Sequence, residues 1–395
     1  MNAIAYREEM DRELQSILQF WMLNTPDEKQ GGFIGRIDGG DRLHPEASKG
    51  LVLNSRILWA FSAAWRHTGQ WIYRPVATRA YEYLSTRFLD PIAGGAFWCL
   101  DSTGEPLDTR KRIYGQAFAL YGLSEYYRAT ADSAALDKAI GLFRVIEAHS
   151  FDTEHGGYFE ACDRDWRPLD DLRLSEKDAN EKKTMNTHLH VLEAYTTLYI
   201  VWPDRVLEDK IRRLLDIFKN RVFDPATGHL GLFFTADWQV RSGLVSYGHD
   251  IEAAWLLHEA ATVIGDREWI DRTAELCLRI ARTTEEGLDV DGGLWYERED
   301  GHLVAEKHWW PQAEAMVGFL RAWSISGDQR WWDASVGAWT FVKNHIRDPK
   351  GNEWFWGVDS GGVPMTGQDK AGFWKCPYHN SRACMEIARL LSREK

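Results

Sequence analysis

One short phrase recurs along this chain: paired glycines followed by aromatics. It reads Gly31-Gly32-Phe33, Gly94-Gly95-Ala96-Phe97-Trp98 and Gly156-Gly157-Tyr158-Phe159 in the first half. Looser or fuller copies follow at Gly228-His229-Leu230-Gly231-Leu232-Phe233, Gly292-Gly293-Leu294-Trp295-Tyr296 and Gly351-Asn352-Glu353-Trp354-Phe355-Trp356. The copies return every ~60–70 residues, a supersecondary-unit period longer than those of the common solenoid repeats. Turn glycines feeding a strand-like aromatic run read as one arm of a short hairpin.

The flanks repeat as well. Helical patterns such as Glu9 to Leu23, Ala135 to His149, Val206 to Arg221, Trp269 to Thr284 and Arg330 to Ile346 precede the phrases. A polar loop and a second, more apolar helix follow each phrase: Leu51 to His67, Gly115 to Ala129, Thr187 to Trp202, Ile251 to Ile264, Glu314 to Ile325 and Ser381 to Arg393. Gly265-Asp266 and Gly327-Asp328 end second helices and start the next outer ones. Six helix–hairpin–helix units make twelve helices. The second member of each pair is richer in Ala, Leu and Trp, so it belongs inside. An open solenoid needs polar end caps, and neither terminus looks like one. The expected fold is therefore all-α: an (α/α)6 barrel of six inner and six outer helices, with hairpins in the loops at one mouth. No Pro, Gly or Ser linker divides residues 1–395, so one catalytic domain is expected.

With a net charge of -12 and no Lys/Arg block, nucleic acid and anionic membrane are poor partners. The first 22 residues carry Arg7, Glu8, Glu9, Asp11, Arg12 and Glu13 and lack a signal peptide's apolar core. No apolar run reaches bilayer length. Five scattered cysteines, Cys99, Cys162, Cys277, Cys376 and Cys384, never form a C-x-x-C pair. Free thiols in the cytoplasm are expected. Tryptophan is over-represented, at 20 against 17 Phe and 14 Tyr. Indole N–H groups seek partners, and aromatic faces stack on sugar rings, so an aromatic-lined cavity is expected beside the core.

If the units are equivalent, every inner helix starts at the same mouth, and the residues there form a ring. Successive units offer Asn54 and Arg56; Tyr114 and Gln116; Asn186, His188 and His190; His249 and Glu252; Trp309, Trp310, Gln312 and Glu314; then Trp374, His379 and Arg382. His249 with Glu252 three residues on would pass for an ordinary structural pair; its five counterparts argue otherwise. Six helix N-termini aimed at one pocket favour an anionic species there. Asn186 and His190, four apart, share a helix face, whereas His188 points elsewhere and reads as structural. Side chains two apart on a helix cannot easily chelate one ion, and no H-E-x-x-H or carboxylate-rich loop is present, so neither a catalytic metal nor another cofactor is expected.

Imidazoles titrate near neutral pH, so one can act as base and another as acid. Two of them across a pocket suit removal of a proton from one face of a carbon and its return to the other, next to a carbonyl. The enediolate between those steps needs a cradle such as Arg56, Tyr114, Asn186 and His190.

Four stretches then carry a resemblance. Lys183-Thr184-Met185-Asn186-Thr187-His188-Leu189-His190, Tyr247-Gly248-His249-Asp250-Ile251-Glu252, Lys307-His308-Trp309-Trp310-Pro311-Gln312-Ala313-Glu314 and Trp374-Lys375-Cys376-Pro377-Tyr378-His379-Asn380 resemble the signatures of cellobiose 2-epimerases, in the N-acylglucosamine 2-epimerase superfamily. The likeness spans essentially the whole chain. It implies the (α/α)6 barrel and a cofactor-independent inversion at C2 of a reducing-end aldose through a cis-enediolate. By that resemblance His249 and His379 are the acid/base pair and His190 assists near O1 and O5. Arg56, Tyr114 and Asn186 hold the enediol oxygens, Glu252 orients His249, and Asp178 contacts hydroxyls. Trp309 or Trp310, with Trp374, stacks on the sugar. Cys376 stands where a small residue is expected and receives no role. The expected partner is a mono- or disaccharide, and the expected assembly a monomer or weak homodimer. The rival readings are an epimerase of free mannose or an aldose–ketose isomerase, a glycoside hydrolase of the same barrel built on Asp178, Glu252 or Glu314, and a non-enzymatic binding barrel.

Overall fold

A computed structural model describes residues 1–351 and 353–392. Asn352 of the sixth phrase and Arg393, the expected end of the last inner helix, lie outside the described residues. Among the described residues, twelve α-helices alternate outward and inward. The outer set is α1 (Ala3–Asn24), α3 (Arg74–Tyr83), α5 (Ser133–His149), α7 (Arg205–Ile217), α9 (Arg267–Thr284) and α11 (Gln329–Phe341). The inner set is α2 (Leu51–Thr68), α4 (Ile113–Thr130), α6 (Met185–Val201), α8 (Tyr247–Ile264), α10 (Trp309–Ser326) and α12 (His379–Ser392). Each inner helix packs on the next, α12 returns to α2, and α1 lies on α12, so the ring closes as an (α/α)6 barrel.

Sequence pattern separates the two layers. Helix α7 buries Leu207, Ile211, Leu214 and Leu215, a single stripe at helical spacing, and leaves charged residues outside. Helix α2 is buried at every position from Leu51 to Ala64, as a helix walled on all sides must be. Aspartates cap four outer helices: Asp132, Asp204, Asp266 and Asp328 each accept a first-turn N–H. Left-handed residues just before them, such as Gly265 and Gly327, end the inner helices.

The glycine phrases sit in small antiparallel pairings at the N-terminal ends of the inner helices. Two kinds of anchor fix them, each seen in four units. A buried lysine just before the inner helix reaches the aspartate that opens the phrase: Lys49 to Asp27 at 2.8 Å, Lys111 to Asp90 at 3.0 Å, Lys183 to Asp152 at 2.7 Å and Lys307 to Asp289 at 2.7 Å. The fourth residue of the inner helix then binds the backbone just after the second glycine. Gln116 accepts from the Ala96 N–H at 2.7 Å, His188 Nε2 from Tyr158 at 2.8 Å, Asp250 from Leu230 at 3.0 Å and Gln312 from Leu294 at 2.7 Å. Gly157 shows why glycine is required: its φ is +80°, and a Cβ there would lie 2.6 Å from His188 Nε2 and 2.5 Å from Trp238.

Unit four departs at three positions together. Val245 replaces the lysine, His229 the second glycine, and Asp250 the usual amide or imidazole. His229 bonds Asp250 at 2.7 Å and Glu286 at 3.0 Å, so the imidazole stands in for the missing ammonium. All five cysteines are buried free thiols. Among the described residues no helix is long and apolar enough to cross a membrane.

Candidate active site

Several inner helices begin earlier than the sequence pattern suggests, α8 by four residues and α10 by five. Pro311 is tolerated because first-turn N–H groups have no helical partner in any case. Gly248 is required because a Cβ there would meet the Trp310 ring at 2.6 Å. His249, Trp310 and His379 thereby fall within first turns, at the barrel mouth.

A cavity of about 610 Å³ opens there, bordered by every residue to which the family resemblance gives a role: Arg56, Tyr114, Asp178, Asn186, His190, His249, Glu252, Trp309, Trp310, Trp374 and His379. Of the expected mouth ring, Asn54, Gln116, His188, Gln312, Glu314 and Arg382 do not border it, and only for His188 was that expected from the sequence. His188 is fully buried and held by Thr184 O at 2.6 Å and the Tyr158 N–H, facing the hairpin. Sequence reasoning assigned no cavity role to Tyr296, Glu297, His308, Trp356 or Gln368, nor to residues 174–177, which form a wall next to Asp178. These loop residues lack the helix-start spacing that marked the others.

The imidazoles have separate anchors. His379 Nδ1 donates to Glu314 Oε1 at 2.7 Å, and His190 Nδ1 to Glu193 Oε2 at 2.9 Å. His249 Nδ1 is hydrogen-bonded to Ser246 Oγ at 2.8 Å. The Trp310 ring lies 4.6 Å from that of His249 and 5.7 Å from that of His379, so both border one space. Burial drives the pKa of all three histidines down, outweighing the carboxylates beside them. Each is neutral at pH 7. With Nδ1 engaged by a carboxylate, His190 and His379 carry their proton on Nδ1 and leave Nε2 as a base.

The expected pairing of Glu252 with His249 is not found. Its carboxylate instead accepts from Arg382 at 2.6 Å, because α12 brings that guanidinium into the barrel axis. Arg382 also donates to Glu314 at 2.7 Å, to Glu193 and to the Tyr378 hydroxyl. Tyr378 in turn donates to Glu193 at 2.5 Å. Burial alone would raise Glu193, but Arg382, His190 and Tyr378 outweigh it and hold it at about 2. Burial, then mutual repulsion, raises Glu252; burial also raises Glu314. One guanidinium facing three carboxylates leaves room for a proton on that pair. Glu314 accepts from Arg382, His379 and Trp255 (3.0 Å), whereas among the described residues Glu252 accepts from Arg382 alone, which makes Glu252 the more favourable place for that proton. Glu252, Glu314 and His379 offer donor atoms within 4.8 Å of one another, as a metal would need, but the cation they surround is Arg382.

Opposite lies Arg56. It donates to Tyr114 Oη at 2.8 Å and to Cys376 Sγ at 3.7 Å, and rests over the Phe118 and Tyr378 rings at 4.1 and 4.6 Å. Trp374 packs against Tyr114 with ring centroids 6.0 Å apart. Trp309 is buried against Trp356 at 4.5 Å. Asp178 accepts from the Ser175 N–H at 2.8 Å, and burial raises its pKa. Arg56 Nε, Asn186 Oδ1 and Trp309 Nε1 have no partner among the described residues, an unusual gathering of unsatisfied buried polar atoms.

Comparison with known proteins matches the N-acylglucosamine 2-epimerase (GlcNAc 2-epimerase) family to residues 32–383. The chain belongs to this family. A cellobiose 2-epimerase of Bacteroides fragilis is 50% identical over 384 residues, 96% of this chain and 98% of that one. The solved cellobiose 2-epimerase of Bacillus thermoamylovorans B4167 superposes with a TM-score of 0.93 at 40% identity, covering 98% of this chain and 99% of the other. A D-mannose isomerase structure shares the fold at a TM-score of 0.84 and 22% identity, covering 97% of each. Family membership thus accounts for the barrel whose mouth holds the cavity and titratable groups described above.

Proposed function

We propose that this protein is a sugar 2-epimerase that inverts C2 of a reducing-end aldose, with cellobiose as the leading substrate. The observation that carries the reading is a pair of neutral, independently anchored imidazoles, His249 and His379, bordering one sugar-sized space beside a fixed guanidinium. One histidine takes the C2 proton of the ring-opened aldose and passes it on to solvent; the other, once it has taken a proton from solvent, delivers it to the opposite face. Arg56, with Tyr114 and Asn186, holds the developing negative charge on the enediolate oxygens. His190 acts near O1 and O5 during ring opening. The protonated Glu252 offers a hydrogen bond to the substrate. Trp310 and Trp374 stack on the sugar, and Asp178 receives hydroxyls. Every group named belongs to one chain, which supports a monomer or weak homodimer as the working unit.

The hydrolase reading fares worse because its carboxylates are engaged. Glu252 and Glu314 are both bound to Arg382, and an acid/base pair for glycoside cleavage must flank the bond from separate positions. An epimerase of free mannose or an aldose–ketose isomerase would use the same groups, and relatives called D-mannose isomerase, 22% and 28% identical, favour keeping that reading second. Incubation with cellobiose, mannose and glucose in deuterated water, followed by NMR, separates these. Deuterium at C2 of an inverted product is expected. A ketose product selects the isomerase, and glucose released from cellobiose without exchange at C2 selects the hydrolase.

A further inference from the structure

The inner helices enclose a second cavity, of about 390 Å³, between their C-terminal halves. It reaches Glu193 and Arg382 from below, so the charge layer that anchors His190 and His379 is a partition between the two cavities. Charges crowd the lower wall, and their pairing is uneven. Arg66 and Arg128 share Glu125, at 2.6 and 2.7 Å. Arg389 holds Glu386 at 2.9 Å through Nε and Glu259 at 3.2 Å. Arg321 also lines the cavity and is only 8% exposed, yet among the described residues its guanidinium donates to no acceptor and meets no carboxylate. Glu259 and Glu386 face it from α8 and α12 but are both committed to Arg389.

A buried guanidinium whose N–H groups lack hydrogen-bond acceptors is costly even with carboxylates at longer range. Its neighbours have the same deficit. The lining residues with an unpartnered buried polar atom are Trp59 at Nε1, Arg321 at Nε and Arg382 at Nε, and all three atoms are donors. A pocket whose unmet needs are all for acceptors, around an unpaired guanidinium, is chemically matched to an oxyanion. Trp59 and Tyr121, stacked at 5.2 Å, give it a flat apolar wall.

We propose that this lower cavity is a second binding site, taking a small molecule with a phosphate or carboxylate group that docks on Arg321. The site goes beyond the epimerase reading and does not depend on it. Arg382 also lines this cavity, on the side of the charge layer away from the sugar.

Thermal unfolding of the full chain tests this, with inorganic phosphate and succinate as probes at constant ionic strength. A saturable rise in midpoint is expected with one of them; phosphate marks a phosphoryl ligand and succinate a carboxylate. In Arg321→Gln the apparent affinity should fall at least about tenfold. Saturating cellobiose should leave the wild-type response in place, which separates this site from Arg56 even if the variant does not fold. No saturable response to either anion, an unchanged response in Arg321→Gln, or loss of the response with cellobiose overturns the proposal. The Arg321→Gln arm reads binding alone and stands whatever the enzyme's activity, whereas the cellobiose arm rests on the epimerase reading.

Discussion

His188 and His190 stand two residues apart on one helix and belong to different rings. The first ring, Asn54, Gln116, His188, Asp250, Gln312 and Asn380, is turned toward the phrases and their strands, and in four units it pins the hairpin backbone. The second, Arg56, Phe118, His190, Glu252, Glu314 and Arg382, lies two residues on in every unit and faces the barrel axis. A step of two on a helix turns a side chain to nearly the opposite side. Both rings are buried and, Phe118 aside, polar, so neither burial nor residue type tells them apart. Partners do. The first ring serves backbone groups of its own neighbourhood; the second, apart from Arg56 and Phe118, joins a charge layer drawn from α6, α8, α10 and α12.

If the second ring and the first-turn histidines carry the chemistry, the largest effect falls on His249 and His379. Either changed to Ala should lose about 10²–10⁴-fold in turnover, with C2 deuterium exchange lost in parallel and the circular dichroism spectrum unchanged. Arg382→Met should follow, leaving three buried carboxylates without their cation. A loss of about 3–5 kcal/mol in stability by denaturant titration is expected. Next, Glu314→Gln and Glu252→Gln should diverge. The first removes the anion that sets the His379 tautomer and should cost on the order of 10²-fold or more in kcat. The second replaces a protonated carboxyl by a neutral isostere and should cost less than about tenfold. Equal losses would place the shared proton elsewhere.

The smallest effect, and the sharpest contrast, is expected at His188. Gln116 and Gln312 do the same task one and two units away, so His188→Gln should keep turnover and neutral-pH stability. Burial lowers the His188 pKa from 6.5 to about 4. The folded state therefore resists protonation that the unfolded chain accepts. The native His contributes fully above pH about 6.5, and its contribution is lost as pH falls toward about 4. Thermal unfolding at pH 5 should find His188→Gln more stable than wild type by about 2 kcal/mol. His190→Gln, two residues away, should instead impair turnover at every pH.

What was legible in the sequence followed from period. Glycine phrases and apolar runs repeat along the chain, so the barrel, the inner and outer assignment and the mouth ring were readable without coordinates. Most side chains at the cavity were found because they fall in the first two turns of inner helices, whereas Asp178, in a loop, came from the family resemblance alone. The charge layer was not readable. Arg382 meets Glu193 across 189 residues and Glu252 across 130, and no local pattern links them. Glu193 stood inside a helix resembling the others and drew no role. Glu252 was matched to its nearest histidine by helical spacing, and a distant arginine took it instead. The early helix starts were hidden because Gly248 and Pro311 weaken the helical pattern where a tryptophan and a first turn accommodate them.

Ring closure also has a consequence in time. Trp21 donates to Glu353 at 2.5 Å and Trp354 to Glu13 at 2.7 Å, joining α1 to chain more than 300 residues later. At a synthesis rate of about 5–20 residues per second, α1 waits roughly 20–70 s for α12. The segment it waits for also carries His379 and Arg382, so the nascent chain acquires its seam and its reactive centre in the same final moment.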